Sequence, residues 1–235
     1  MSSLVLVDFD GVVLKNSKAV NYVQKKVVSY IQWNTGIKDR KVVEALNKEL
    51  YTSHGHTVTG LRKHGFPGTL RDFNDYLYGN KDAFAGLALT SQERYDWDKF
   101  LFDMREDGKD VKLFSNSGIE WMIHFLGYDA RLLEFHDITE GENMLKPEKS
   151  MYDSVMSLYP RDKYYFIDDK IVNFTEVQGD PRWVKLWMCT GVNGQLTLGK
   201  DFHCVDSFDT ASHLISGTPM TKTIECSGVY DECFI

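Results

Sequence analysis

The sequence predicts an α/β protein, a parallel sheet flanked by helices and interrupted by an all-helical insertion. Three observations predict it. Short apolar runs alternate with helical-period stretches, several of those runs end in a polar cluster, and one long interval near the start carries helical patterns with no convincing strand. Alternation of this kind gives parallel strands joined by right-handed crossovers, and in such sheets ligands bind outside the carboxyl ends of the strands. The polar clusters fall there.

The first run, Leu4 to Val7, reads as a buried strand that delivers Asp8 and Asp10 to its far end before the chain turns on Gly11. Acids two apart on an extended ribbon point to the same side. Two unit charges 4 Å apart repel by about 4 kcal/mol at an effective dielectric of ~20, so a cation is the natural relief. The second run, Val111 to Phe114, ends in Ser115-Asn116-Ser117-Gly118, and the third, Tyr164 to Ile167, ends in Asp168-Asp169. A fourth, Trp183 to Met188, leads into Cys189-Thr190-Gly191, and His203 to Val205 is a shorter fifth. Between them, Glu120 to Leu126 carries apolar residues three and four apart. Pro147 is expected to open a helix running through Tyr159, with Glu148 in its first turn.

The interval from about Lys15 to Arg105 reads as helices at Ser17–Trp33, Asp39–Leu50, Leu70–Tyr78 and Ser91–Arg105, around a Gly- and His-rich stretch that reaches Gly68. Inserted between the first two strands, it would sit over their carboxyl ends as a lid. The expected division is a core from 1–14 and 106–215, a helical cap from 15–105, and a tail from 216–235 rich in Thr, Ser and Gly.

The bulk numbers narrow the function. With 235 residues, 43% hydrophobic and 26% charged, the chain is long enough for a real core plus a sizeable insertion. A net charge of -7 offers no basic face for a phosphate backbone, so nucleic acid is not an expected partner. No stretch approaches membrane-spanning length, and Asp8 and Asp10 interrupt the first apolar run too early for a signal peptide; a cytoplasmic location and no membrane partner are the expectation. Cys189, Cys204, Cys226 and Cys233 form no C-x-x-C pair, so reduced, structural thiols are expected, with Cys226 and Cys233 as a pair only in a secreted chain.

Asp8-Phe9-Asp10-Gly11-Val12-Val13, then Ser115 after a strand, then Lys146-Pro147, then Asp168-Asp169 after another strand, resembles the haloacid dehalogenase superfamily of phosphotransferases. All four motifs stand in the family's order, and the fold they imply, a Rossmann-like three-layer core, covers roughly residues 1–215. The resemblance implies a Mg²⁺-dependent phosphatase acting on a small phosphate ester. It implies Asp8 as the nucleophile that becomes an aspartyl phosphate, and Asp10 as general acid and then base. Asp8 and Asp168 are the expected side-chain ligands of Mg²⁺, with the Asp10 backbone carbonyl by family analogy, and Asp169 either joins them or orients the site. Ser115 and the Asn116 N–H would donate to a phosphoryl oxygen, while Lys146 would offset charge and hold Asp8. Asn173 resembles a position that braces the Asp168-Asp169 loop.

Each residue also has a plainer reading. An acid pair at a strand end can be a turn or helix cap, Ser115 or, better, Ser117 can cap the helix that follows, and Lys146 alone is an ordinary solvated lysine. Together in this order they favour the site. Asp10 separates branches, because dehalogenases lack the second acid: a halide needs no proton. A phosphomutase of the same family remains an alternative, as does a phosphate-storing or catalytically silent binding protein.

In the insertion, Tyr51, Gly55 and Gly60-Leu61 faintly resemble the lid of pyrimidine 5′-nucleotidase-like members, but Asp8-Phe9-Asp10-Gly11 departs from the Asp-x-Asp-Asn of that branch. A nucleotide is therefore one candidate substrate beside sugar phosphates and glycolate-type phosphates. His54 and His56 are read as loop histidines over metal ligands, and Arg62-Lys63-His64 as a solvated basic face over a substrate contact. Trp33, Trp97 and Trp121 sit at helical spacing and are read as packing residues.

Overall fold

A computed structural model describes residues 2–141, 144–189 and 202–217. Five parallel strands form one sheet in the order β2-β1-β3-β4-β5. Their ranges are Ser3–Val7 for β1, Asp110–Leu113 for β2, Lys163–Asp168 for β3, Trp183–Met188 for β4 and Phe202–Val205 for β5. The helices are α1 (Ser17–Thr35), α2 (Arg40–His54), α3 (Thr57–Lys63), α4 (Leu70–Tyr78), α5 (Ser91–Glu106), α6 (Ile119–Leu126), α7 (Ala130–Gly141), α8 (Lys149–Leu158) and α9 (Phe208–Ser216), with short 3-10 turns at Lys81–Phe84 and Ile171–Val177.

The central strand β1 pairs with β2 on one side and β3 on the other, Val7 opposite both Leu113 and Ile167. Because side chains alternate across a strand, each strand feeds two cores. Val5, Val7, Tyr165, Ile167 and Leu186 pack on the face carrying α5 and α9. Leu4, Leu6, Phe166 and Trp183 pack on the opposite face with Met151 and Val155 of α8. The result is the expected three-layer α/β core.

The insertion divides in two. Helices α1 to α4 pack on one another, whereas α5 packs against β2 and α9, where Trp97 and Phe100 meet Phe208 with ring centroids 5.6 and 4.7 Å apart. The last helix of the interval 15–105 therefore belongs to a layer of the sheet domain. Local chemistry sets the helix ends: Asn16 and Asp39 cap α1 and α2, and Thr69 with Asp72 and Thr90 with Glu93 form capping boxes on α4 and α5.

Several expectations are corrected. Helix α8 begins at Lys149 with Glu148 as its N-cap residue, so Pro147 lies before the helix and not in its first turn. The Gly- and His-rich stretch contains α3, a helix masked in the sequence by Gly60, and α7 and α9 carry no expected counterpart. Gly60 has a reason: an added Cβ would stand 2.7 Å from Leu50, so the helix pair α2 and α3 packs too closely for any side chain there. Trp97 and Trp121 are buried, but Trp33 is 71% exposed and packs no core. Cys189 and Cys204, at the ends of neighbouring strands with Cα atoms 6.1 Å apart, form a disulfide, against the expectation of reduced thiols. Cys226, Cys233 and the tail from 218 lie outside the described residues. Among the described residues no helix is long and apolar enough to cross a membrane.

Candidate active site

The polar strand ends meet on the floor of one cavity. Asp8, Asp10, Ser115, Asn116, Lys146 and Asp169 all border it. Asp8 directly follows β1 and its N–H donates to the Ile167 carbonyl at 2.9 Å, extending the sheet by one bond and fixing where the carboxylate stands. After it the chain folds back on itself: the N–H groups of Val13 and Leu14 both donate to the Phe9 carbonyl, and Gly11 donates to Leu14. Gly11 has φ +84°, and a Cβ there would lie 2.3 Å from the Asp169 carboxylate. Only glycine allows that approach.

Lys146 is the hub. Its ammonium lies 3.1 Å from Asp8 Oδ1 and 2.6 Å from Asp168 Oδ2, with the side chain 1% exposed. Burial pulls its pKa down, but the charges of Asp168 and Asp8 overcome this and push it above the usual lysine value. The backbone at Lys146 is held by Asn116, whose Oδ1 accepts from the Lys146 N–H at 2.8 Å while its Nδ2 donates to the Lys146 carbonyl at 3.0 Å. The Asn116 side chain is thus spent on the lysine loop, which leaves its backbone N–H as the group with a possible ligand role.

The two carboxylates after β3 differ. Asp168 is fully buried and saturated with donors: Asn173 Nδ2 reaches both oxygens at 3.0 and 2.8 Å, the Lys170 N–H reaches Oδ1 at 2.8 Å, and Lys146 reaches Oδ2. Asn173 therefore braces this loop as expected. Burial raises the Asp168 pKa to about 7 against the opposing pull of Lys146. Asp169 Oδ1, by contrast, is buried with no hydrogen-bond partner.

Asp8, Asp168 and Asp169 offer carboxylate oxygens within 4.8 Å of one another. Three carboxylates with one orphaned buried acceptor make the oxygen donor set of a hard divalent cation, so the residues present fit Mg²⁺. Charge agrees, since Asp8, Asp168 and Asp169 repel one another across the ammonium groups of Lys146 and Lys170 that lie among them. The Asp10 side chain is not part of this cluster among the described residues; it turns away toward α6.

There Asp10 Oδ2 accepts from the Ser117 hydroxyl, and its Oδ1 accepts from Trp121 Nε1 at 3.1 Å. Burial raises the Asp10 pKa, and the nearby Asp8 charge adds to that, although the two donors oppose it. Ser117 is therefore not the helix cap expected of it: Gly118 occupies the N-cap of α6 without a side-chain bond. Trp121 packs as expected and also holds Asp10, a second role that helical spacing does not reveal. The buried Ser115 hydroxyl accepts from the Ser117 N–H at 3.3 Å.

Sequence reasoning missed Lys170. Its ammonium stands 4.8 Å from the ring centre of Tyr51 at the end of α2, and Tyr51, Asp169 and Asp8 push its pKa well above the usual value despite burial. Its place directly after the acid pair was the available signal. The insertion is also clamped to the lysine loop: Thr59 Oγ1 and Arg62 donate to Glu148 at 3.2 and 3.1 Å. A Cβ on Gly55 would strike Pro147 at 2.4 Å, so the α2–α3 turn lies flat on Lys146-Pro147. Arg62 is accordingly an ion-pair partner and not a free solvated face.

Comparison with solved structures places this architecture. A HAD phosphatase from Thermococcus onnurineus matches with TM-score 0.57 at 11% identity, over 92% of this chain and 99% of that one. The fold is that of the haloacid dehalogenase (HAD) superfamily. Two dehalogenases match the same HAD fold at TM-score 0.51: one at 13% identity over 92% of this chain and 97% of its own, and an L-2-haloacid dehalogenase at 10% identity over 91% and 98%. No family model and no curated protein matches the sequence. At these identities the HAD fold is shared and the chemistry has to be argued from the site.

Proposed function

We propose that the protein is a Mg²⁺-dependent phosphomonoester hydrolase that works through an aspartyl phosphate on Asp8, with a small phosphorylated metabolite as substrate. The observation that supports this most is Asp10, a second acid whose burial favours the protonated form. An ester oxygen leaves as an alcohol only if it gains a proton, whereas a halide needs none. On a fold that hosts both reactions, a second acid held beside Asp8, with its pKa raised by burial, favours the phosphatase.

Asp8 Oδ1 is occupied by the Phe9 N–H and the Lys146 ammonium, which leaves Oδ2 to attack phosphorus. As the new oxygen–phosphorus bond forms, the ester bond breaks and the leaving oxygen takes the Asp10 proton. A water then gives its proton to the Asp10 carboxylate and attacks the phosphorus, releasing inorganic phosphate and the Asp8 carboxylate. Ser115, the Asn116 N–H and Lys146 donate to the phosphoryl oxygens and steady the charge that develops on them. Asp8 and Asp169 would hold Mg²⁺, with Asp168 beside them and the Asp10 carbonyl by family analogy; the ion supplies positive charge against the phosphate.

The test is hydrolysis of p-nitrophenyl phosphate, sugar phosphates and nucleotides with Mg²⁺ by wild type and Asp10→Asn. We expect the variant to lose at least about 10²-fold in kcat/KM, which reports formation of the phosphoryl enzyme, on alkyl esters and far less on p-nitrophenyl phosphate, whose leaving group departs without a proton. Equal losses on both, or no hydrolysis by wild type, would refute the assignment.

A further inference from the structure

Above the acids the cavity changes character. Val20, Val23 and Val27 lie along one face of α1, at positions three and four apart, and Phe73 and Leu77 of α4 stand on the same cavity. Every charged residue that borders the cavity is at the floor: Asp8, Asp10, Lys146, Asp169 and Lys170. Among the described residues of the insertion that border it, none carries a formal charge, and its polar groups are amides, hydroxyls and one imidazole.

Two of those polar groups, Asn47 and His56, are fixed in orientation. The Asn47 carbonyl oxygen accepts from the Thr57 hydroxyl at 2.8 Å, which turns its NH₂ into the available group. His56 Nδ1 accepts from the Val58 N–H at 3.2 Å, so the ring proton sits on Nε2. Burial, with the charges of Lys170, Arg62 and Lys146, drives the His56 pKa to about 3 and keeps the ring neutral. Both groups are donors with no charge behind them. The whole cavity, floor included, measures about 150 Å³, so the phosphoryl group and the body of a substrate share a space the size of one that takes a single benzene ring.

We propose, resting on the phosphatase assignment above, that the substrate is the monophosphate of an uncharged alcohol whose body is apolar and compact. It would lie between the valine face of α1 and Phe73 and Leu77, accepting hydrogen bonds from His56 and Asn47. A second phosphate or a carboxylate finds no cation among the described residues that border the roof. A polyhydroxylated sugar would leave several hydroxyls facing valine, and each unpaired buried hydroxyl is unfavourable.

Benzyl phosphate tests this, because its leaving oxygen is a primary alcohol like that of glucose 6-phosphate and thymidine 5′-monophosphate, so intrinsic reactivity is matched. We expect its kcat/KM to exceed both by at least tenfold. Val20→Ser and Val23→Ser, made separately, should raise KM for benzyl phosphate about fivefold or more with kcat within twofold, and leave KM for methyl phosphate unchanged. If glucose 6-phosphate or thymidine 5′-monophosphate is the better substrate while Asp8→Asn is inactive, the phosphatase stands and the apolar leaving group is wrong. If the serine variants lose activity equally on benzyl and methyl phosphate, the valine face is structural only and the proposal fails. If no ester is hydrolysed, both assignments fall.

Discussion

The floor and the roof of the cavity are built on opposite principles. At the floor, four acids and two ammonium groups are crowded at the ends of β1, β2 and β3, and nearly every polar atom has a named partner. On the roof, α1 and α4 present valine, leucine and phenylalanine, and the polar groups that interrupt them among the described residues are uncharged. Sheet ends give the floor its rigidity, since neighbouring strands fix each carboxylate through backbone bonds. The roof is held by helix packing and by the clamp of Arg62 on Glu148. The difference teaches that reaction type and substrate choice reside in separate layers here, so each can be disturbed without the other.

The largest disturbance of the floor should come from Lys146→Met. It leaves Asp8 and Asp168 buried without their shared cation, and removing one partner of a buried ion pair destabilises by about 3–5 kcal/mol. Urea unfolding without Mg²⁺ should show a loss of that order; one below about 1 kcal/mol would mean that Lys146 does not bind the floor together.

On the roof side, His56 gives a pH signature. Its pKa is lowered in the folded state to about 3, from the ordinary value of about 6.5. Between those values the unfolded chain takes up a proton that the folded one refuses, so stability falls as pH drops through 6.5. At pH 4.5 this amounts to about 2–3 kcal/mol relative to pH 7.5. The pH dependence of stability in His56→Asn should be flatter by that amount, and identical slopes would show that the ring is not buried neutral. The smallest effect belongs to the clamp. Arg62 and Glu148 are each about a third exposed, so Arg62→Ala should change stability by less than about 1 kcal/mol, as chemical denaturation can check; a larger loss would show that the roof leans on this pair more than its exposure allows.

The same division explains what the sequence disclosed. The floor was legible because its chemistry is carried by short motifs: Asp8, Asp10, Ser115, Asp168 and Asp169 end apolar runs, Lys146 was picked out by the family resemblance the set carries, and apolar runs located all five strands. What was missed depends on three-dimensional neighbours. Ser117 and Trp121 were read as a cap and a packing residue because nothing in their spacing says that both reach Asp10. Helix α3 was hidden by a glycine whose purpose is close packing on Leu50, and α5 was assigned to the insertion because only its contacts with Phe208 show which layer it joins. Lys170 lay in plain view beside the acids, but its significance comes from Tyr51, 119 positions earlier in the chain. The Cys189–Cys204 pair likewise depends on β4 and β5 lying side by side.

One measurement bears on the floor most directly. Wild type and Asp8→Asn are each mixed with ³²P-labelled p-nitrophenyl phosphate and Mg²⁺, quenched in acid within a single turnover, and digested to find the label. Wild type should carry it on the peptide containing Asp8, and Asp8→Asn should carry none and lose at least about 10³-fold in kcat. Turnover by Asp8→Asn at a rate near wild type, or label on another peptide, would contradict the assignment of Asp8 as the nucleophile.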